Sequence, residues 1–326
     1  MSALEQRFAG AVLVTGASGF VGTALLARLA AEGYKAVAAP RRRLGVSEPP
    51  ESDRYDHVNM SGCYGLVHLA ARVHVMHEAA LDPLAEYRKD NVEATLRLAR
   101  RAAAAGIKRF VYVSSIKVNG ESTLPGMAFT EADAPRPRGP YAISKYEAEL
   151  GLMGIAGETG LEVVIVRPPL VYGPGVRANF AALARAVQRR WPLPLGAVHN
   201  KRSLVAVDNL ADFIVTCLTA PQASNEVFLV SDGEDLSSAE LCRGLAYAAG
   251  VPPRLIAVPL WLLQGAAALL GARAVVGRLC ESLQVDPAKA RERLGWVPPL
   301  AVQAGLGRVY RGRGALASGA QQKCGT

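Results

Sequence analysis

Thr15-Gly16-Ala17-Ser18-Gly19-Phe20-Val21-Gly22 stands between an apolar run at 11–14 (AVLV) and a helix-like stretch reaching about residue 32, where Gly33 stops it. A second apolar run follows at 36–39 (AVAA). Strand, glycine turn, helix, strand is the opening of a doubly wound parallel sheet. Gly16 permits the tight turn leaving the strand, Gly19 lets backbone approach a pyrophosphate, and Gly22 lets the helix pack close to the sheet. The helix start at Phe20 and Val21 then offers unpaired N–H groups and a positive dipole end to phosphates. Three glycines alone are a weak signal. Flanked by strand and helix in this order, they read as a dinucleotide cradle.

Further along, 65–70 (GLVHLA), 109–113 (RFVYV) and 161–167 (LEVVIVR) are short continuous apolar runs, the pattern of strands buried on both faces. Pro168-Pro169 ends the last of them. Residues 83–105 are strongly helical, and another helix starts near Pro140 and runs past Glu149. After Tyr172, loop-rich segments (WPLPLG, HNKRS) alternate with short elements. The expected fold class is therefore α/β: a Rossmann doubly wound parallel sheet with a smaller mixed C-terminal substrate-binding part. Residues 1–172 form the dinucleotide-binding domain with the catalytic residues. Residues 173–310 are mainly substrate-binding, with some elements free to return to the sheet, and the Gly-, Ala- and Gln-rich stretch 311–326 reads as a disordered tail.

Composition narrows the class further. Half of the 326 residues are hydrophobic, enough for a large core. The five cysteines are scattered, odd in number and never spaced C-x-x-C, so neither a disulfide framework nor a zinc site is indicated and a reducing compartment follows. His74 and His77 lack the neighbours a metal requires. MSALEQRF at the start carries no secretory pattern, which with the thiols points to the cytoplasm. The stretch 260–271 (LWLLQGAAALLG) falls short of a membrane span and reads as a buried or partner-facing helix. The formal charge of +9 is dispersed and aromatics make up 6%, so an anionic small molecule fits better than nucleic acid.

Tyr141 and Lys145 form a Tyr-x-x-x-Lys pair, projecting from one helix face four residues apart. A tyrosine titrates near pH 10 and is a poor base at neutrality, at about the value of the free phenol. A neighbouring ammonium and an oxidised nicotinamide are expected to lower it. Ser114-Ser115 follows directly on RFVYV, at a strand's carboxyl end, where doubly wound sheets bind ligands. A hydroxyl there can hold the reacting oxygen. For the cofactor, the second strand ends in Ala39-Pro40-Arg41-Arg42-Arg43, with no acid to hold ribose hydroxyls. Arg41 and Arg42 suit a 2′-phosphate, so NADP is favoured, with NAD as the alternative.

TGASGFVG, SSIKVNG, YAISK and RSLVAVDNLAD, in that order, resemble the extended short-chain dehydrogenases/reductases, the group that includes UDP-galactose 4-epimerase. The likeness runs from Val12 to about Val309 and is nearest to bacterial reductases of UDP-4-keto-6-deoxy-N-acetylhexosamines. It implies Ser115, Tyr141 and Lys145 as catalytic residues. It implies Asn91 as a helix support beside the cofactor, Leu69, Ala70, Ala71 and Pro168 as cofactor lining, Asn179 and Phe180 as nucleotide-sugar contacts, and Arg202 as the diphosphate grip. It also implies a UDP-sugar substrate, surface-polysaccharide synthesis, and a homodimer through the helices bearing Asn91 and Tyr141. Leu170 stands where many epimerases carry an asparagine, and 44–64 is too short for the family's usual third strand and following helix. Three functions follow as expectations: hydride transfer to C4 of a UDP-4-keto sugar, a UDP-hexose 4-epimerase holding NAD tightly, or a cofactor sensor without turnover. Sensors of this kind typically lose the Tyr or the Lys, and here both remain.

Overall fold

The computed structural model describes residues 10–39, 55, 57–73, 82–269, 271 and 273–310. Arg41, Arg42, His74, His77 and the tail 311–326 lie outside them. Strand β1 (Ala11–Thr15) feeds helix α1 (Phe20–Ala31), and β2 (Ala36–Ala39) returns beside β1. Next come β3 (Cys63–His68), α2 (Pro83–Arg88), a π turn (Lys89–Glu93), α3 (Ala94–Ala104), β4 (Arg109–Val113), α4 (Gly139–Thr159) and β5 (Glu162–Arg167). The six-stranded sheet has the order β2-β1-β3-β4-β5-β8, all pairs parallel, with β8 at Glu226–Leu229. This is the expected Rossmann-type sheet.

Two apolar layers clamp it. Val12, Val14, Val67, Val111, Val164 and Val166 face α1 and α6 (Val207–Thr219), through Leu25, Leu29, Phe213 and Ile214. Leu13, Leu66, Phe110, Tyr112 and Val163 face α3 and α4, through Leu98, Ala102, Leu152 and Ile155. Alternate residues of one strand thus serve opposite layers, which is why these strands read as unbroken apolar runs. The order in which strands are added reverses between β1 and β3, the position where sheets of this kind open a ligand crevice at the strands' carboxyl ends.

Two local results differ from the sequence reading. The strand expected at 65–70 is Cys63–His68, because it pairs in register with β1, Thr15 opposite His68. Leu69 and Ala70 are thereby released to the crevice. The helix expected at 83–105 is α2 and α3 with a π turn between them, centred on Asn91. Among the described residues β2 is the edge strand of the sheet, and most of the short 44–64 stretch lies outside the described residues.

The C-terminal half is split between the two parts. Both α6 and β8 join the sheet layers, whereas β6 (Leu170–Tyr172) and β7 (Leu204–Ala206) pair with each other. Around them a third cluster gathers Tyr172, Phe180, Leu195, Leu204, Leu245 and Leu306. It is built from α5 (Ala178–Gln188), α7 (Ser238–Ala248), α8 (Leu260–Leu269), α9 (Arg273–Cys280) and α11 (Val302–Arg308), with α10 (Ala288–Leu294) packing near β8. Of the two alternatives for 260–271, the buried helix is not what forms: Ala267 is the buried side chain of α8.

Candidate active site

The crevice begins at Gly16. Its φ of +68° is a left-handed conformation that favours glycine, and a Cβ there would stand 2.8 Å from the Ala70 amide nitrogen. At Gly22 a Cβ would collide with the Gly16 carbonyl oxygen. The turn after β1 and the segment after β3 therefore touch through bare backbone, with Leu69 N–H donating to Thr15 O (3.3 Å) and Ala70 N–H to Thr15 Oγ1 (3.4 Å). Helix α1 has no side-chain cap and no acid in its first turn. A cavity of about 410 Å³ opens at that end, lined by Ser18, Gly19, Phe20, Thr23, Pro174, Gly175 and Arg177. An uncapped helix start and the Arg177 guanidinium face one hollow, with Asp208, itself paired with Arg308, also on its wall; helix start and guanidinium suit the pyrophosphate of a dinucleotide. Arg177 was missed in the sequence, because only the chain's return from β6 brings it to the glycine turn.

Ser115 caps the short 3₁₀ turn Ile116–Val118 directly after β4, its Oγ accepting from the Lys117 amide at 3.3 Å. Pro140 in the first turn of α4 starts that helix with its dihedral preset and presents Tyr141 to the same end of the sheet. The two meet: the Ser115 hydroxyl hydrogen-bonds the Tyr141 phenol. Lys145 lies one turn further on, 2% exposed, donating to the Val113 carbonyl (2.8 Å) with its ammonium 4.4 Å from the centre of the Tyr112 ring. All three expected catalytic side chains thus gather beyond the carboxyl end of β4.

Their electrostatics show what the protein alone does to the phenol, before the nicotinamide that the expectation also invoked. Burial raises Tyr141 to about 12, opposed by the Ser115 hydrogen bond. Burial also drags Lys145 down to about 7, with Glu149 pulling the other way. The lysine that was expected to acidify the phenol is itself desolvated and turned to a carbonyl. A protonated phenol is the result.

A buried frame surrounds these groups. Asn91, 1% exposed, receives the Arg72 amide (2.7 Å) and donates to the Arg72 carbonyl (3.1 Å) and to Ser144 Oγ (3.0 Å). Its place in a π turn brings it level with both partners; π turns recur at functional sites. On the other side Arg167, at the end of β5, grips Glu149 of α4 (2.5 Å) and donates to Asn119 Oδ1 (2.9 Å) at the end of the Ser115 turn. One guanidinium therefore ties the Tyr141 helix to the Ser115 loop. Sequence reasoning passed over Glu149 and Arg167, since a charged pair looks solvated until the fold buries it. Pro168, next in the chain, accepts the Ile116 amide with its carbonyl (3.0 Å).

The expected substrate residues line a second cavity, of about 460 Å³, where Leu170, Asn179, Phe180, Trp191, Arg202, Leu236 and Arg278 converge. Phe180 is also core, stacked on Tyr172 at 5.7 Å. Ala178, just before Asn179, has a φ of +54°, a strained setting for a residue with a side chain. Arg202 is fixed by pairing with Leu236 and Leu283 and by donating to the Glu281 carbonyl (2.9 Å). Burial lowers its pKa, with the nearby Glu281 carboxylate acting against that shift. Trp191 and Arg278 carried no local signal and enter only through the packing of α5 and α9.

Fold and site together define a protein of the Rossmann class, with a glycine turn suited to a dinucleotide and a Ser-Tyr-Lys group at the carboxyl ends of the sheet strands. The model of the "NAD dependent epimerase/dehydratase family" matches residues 12–231. The chain belongs to that family. It is 43% identical over 311 residues to a UDP-glucose 4-epimerase of Vibrio cholerae, covering 93% of this chain and 95% of that one. Among solved structures it is similar to MoeE5 in complex with UDP-glucuronic acid and NAD, with a TM-score of 0.72, 26% identity, and coverage of 94% of this chain and 100% of that one. It is likewise similar to RMD from Pseudomonas aeruginosa complexed with NADPH, with a TM-score of 0.71, 26% identity, and coverage of 93% and 98%.

Proposed function

We propose that this chain is a UDP-hexose 4-epimerase, interconverting the two configurations at C4 of a UDP-sugar. The observation that carries the reading is the near-full-length likeness to the Vibrio cholerae epimerase, joined to a Ser115–Tyr141 pair beside a dinucleotide cradle. It moves epimerisation ahead of the 4-keto reduction favoured by the sequence motifs.

The dinucleotide, when bound, supplies the hydride exchange and, oxidised, a positive charge beside the phenol. The protein does the rest. Tyr141 exchanges a proton with the C4 oxygen; raised to about 12, it starts as a proton donor, and added positive charge turns it toward base. Ser115 holds the same oxygen, Lys145 positions the ribose, and Asn91 and Arg167 fix the helix and loop that carry them. Leu69, Ala70, Ala71 and Pro168 line the dinucleotide, while Asn179, Phe180 and Arg202 hold the UDP portion.

A second reading, NADPH-dependent reduction of a UDP-4-keto-6-deoxy-N-acetylhexosamine, is favoured by the basic Arg41-Arg42 after β2 and by likeness to the NADPH complex of RMD. The purified chain is given UDP-glucose or UDP-N-acetylglucosamine without external dinucleotide, and separately a UDP-4-keto sugar with NADPH. Epimerisation predicts approach to a mixture of C4 epimers by NMR in the first arm. Stoichiometric NADPH oxidation in the second arm, with no epimer formed in the first, would replace this function by the reductase. Tyr141→Phe is expected to lower kcat by roughly 10²- to 10⁴-fold while UDP affinity stays within about threefold.

A further inference from the structure

Residues 163–207 contain seven Lys or Arg and no Asp or Glu, and residues 241–280 contain four Arg and again no acid. The structure brings these two stretches together. Leu193 and Leu255 pair across a β-bridge, the Gly196 amide donates to the Ile256 carbonyl (2.9 Å), and the Arg254 guanidinium reaches the Arg190 carbonyl (3.5 Å). Leu263 of α8 packs on the same cluster as Leu193 and Leu255. One side of the C-terminal part therefore carries Arg189, Arg190 and Arg254, all exposed, with no acid in either stretch to balance them.

In the same two stretches large apolar groups stand in water: Trp191 is 56% exposed, Ile256 52%, Trp261 73%, Leu262 48% and Leu269 90%. Arg189 lies over the Trp191 ring at 6.0 Å. Such a surface needs a partner. Helix α8 has ten residues and cannot cross a bilayer, and no helix among the described residues is long and apolar enough to do so.

We propose that this face docks onto an anionic phospholipid bilayer, with α8 lying in the headgroup plane and Arg189, Arg190 and Arg254 over the lipid phosphates. Tryptophans with apolar neighbours seat at the boundary of headgroups and chains, while arginines gain from the negative surface potential. A second copy of the chain is the poorer occupant. A twofold contact through this face sets each arginine cluster against its own image, and the acid nearest α8, Glu281, sits in the hollow between α8 and α9 rather than in either basic stretch. Trp191 also lines the cavity of Asn179 and Arg202, so docking would hold that cavity beside the membrane.

The test is flotation of the full-length protein with phosphatidylcholine vesicles and with vesicles containing phosphatidylglycerol, followed also by tryptophan emission. Expected is capture, with a blue shift, by the anionic vesicles alone, falling as salt is raised. Trp261→Glu and Leu269→Glu should each weaken capture about tenfold or more, and Arg189→Gln and Arg254→Gln about fivefold each. All four substitutions are at exposed positions outside the active site, so an unchanged melting temperature and unchanged turnover of a water-soluble UDP-sugar verify folding. Equal capture by both vesicle types, or glutamate variants that float like the parent, would overturn the proposal. So would absence of capture together with a dimer that Trp261→Glu dissociates, which assigns the face to a second copy.

Discussion

Lys145→Met should make the protein more stable while stopping turnover. The side chain is 2% exposed, and burial lowers its amine to about 7. In the unfolded chain it titrates at about 10.4. The folded state thus binds the proton less tightly, and stability is lost as pH falls from about 10 toward 7. The gap between 10.4 and about 7, at about 1.4 kcal/mol per pH unit, integrates to about 4 kcal/mol of destabilisation at pH 7. Opposing it are the bond to the Val113 carbonyl, about 1 kcal/mol, and the contact with the Tyr112 ring, about 1–2 kcal/mol. Methionine fills nearly the same volume without charge, so a net gain of about 1–2 kcal/mol at pH 7 is expected. By pH 9 the cost of the lysine shrinks to about 2 kcal/mol, and the two proteins become about equal. The assay is urea unfolding of the dinucleotide-free protein at pH 7 and pH 9, comparing midpoints and slopes. Parallel pH dependence in parent and variant, or a variant less stable by more than about 1 kcal/mol at pH 7, refutes the reasoning.

Other outcomes follow from the same geometry. Glu149→Leu leaves the Arg167 guanidinium buried without its counterion and should cost about 3–5 kcal/mol, read by chemical denaturation; adding Arg167→Met should restore much of that stability. Gly22→Ala drives a methyl into the Gly16 carbonyl and should abolish dinucleotide binding in a fluorescence titration, whereas Ala at Gly175, where a Cβ meets nothing within 4 Å, strains only its φ of +81° and should leave binding measurable. Asn91→Ala removes bonds to Arg72 and Ser144 and should cost about 1–3 kcal/mol; thermal unfolding of a variant that matches the parent would mean Asn91 is dispensable to the frame.

By itself the sequence determined the Rossmann-type fold, the glycine turn after β1 and the choice of Ser115, Tyr141 and Lys145 as side chains to look for together. Those signals are local: strand periodicity, a turn that only glycine permits, and two side chains one helical turn apart. What the tertiary structure decided was everything that depends on burial or on distant segments meeting. The π turn that sets Asn91 arises where a helix side chain is claimed by the Arg72 backbone. The pairing of Glu149 with Arg167 and Asn119, and the entry of Arg177, Trp191 and Arg278 into the cavities, join residues that share no sequence pattern. The clearest case is Lys145. Spacing placed it correctly, but its charge depends on how many water molecules the fold removes from around it. A string of residues does not encode that count in any local term.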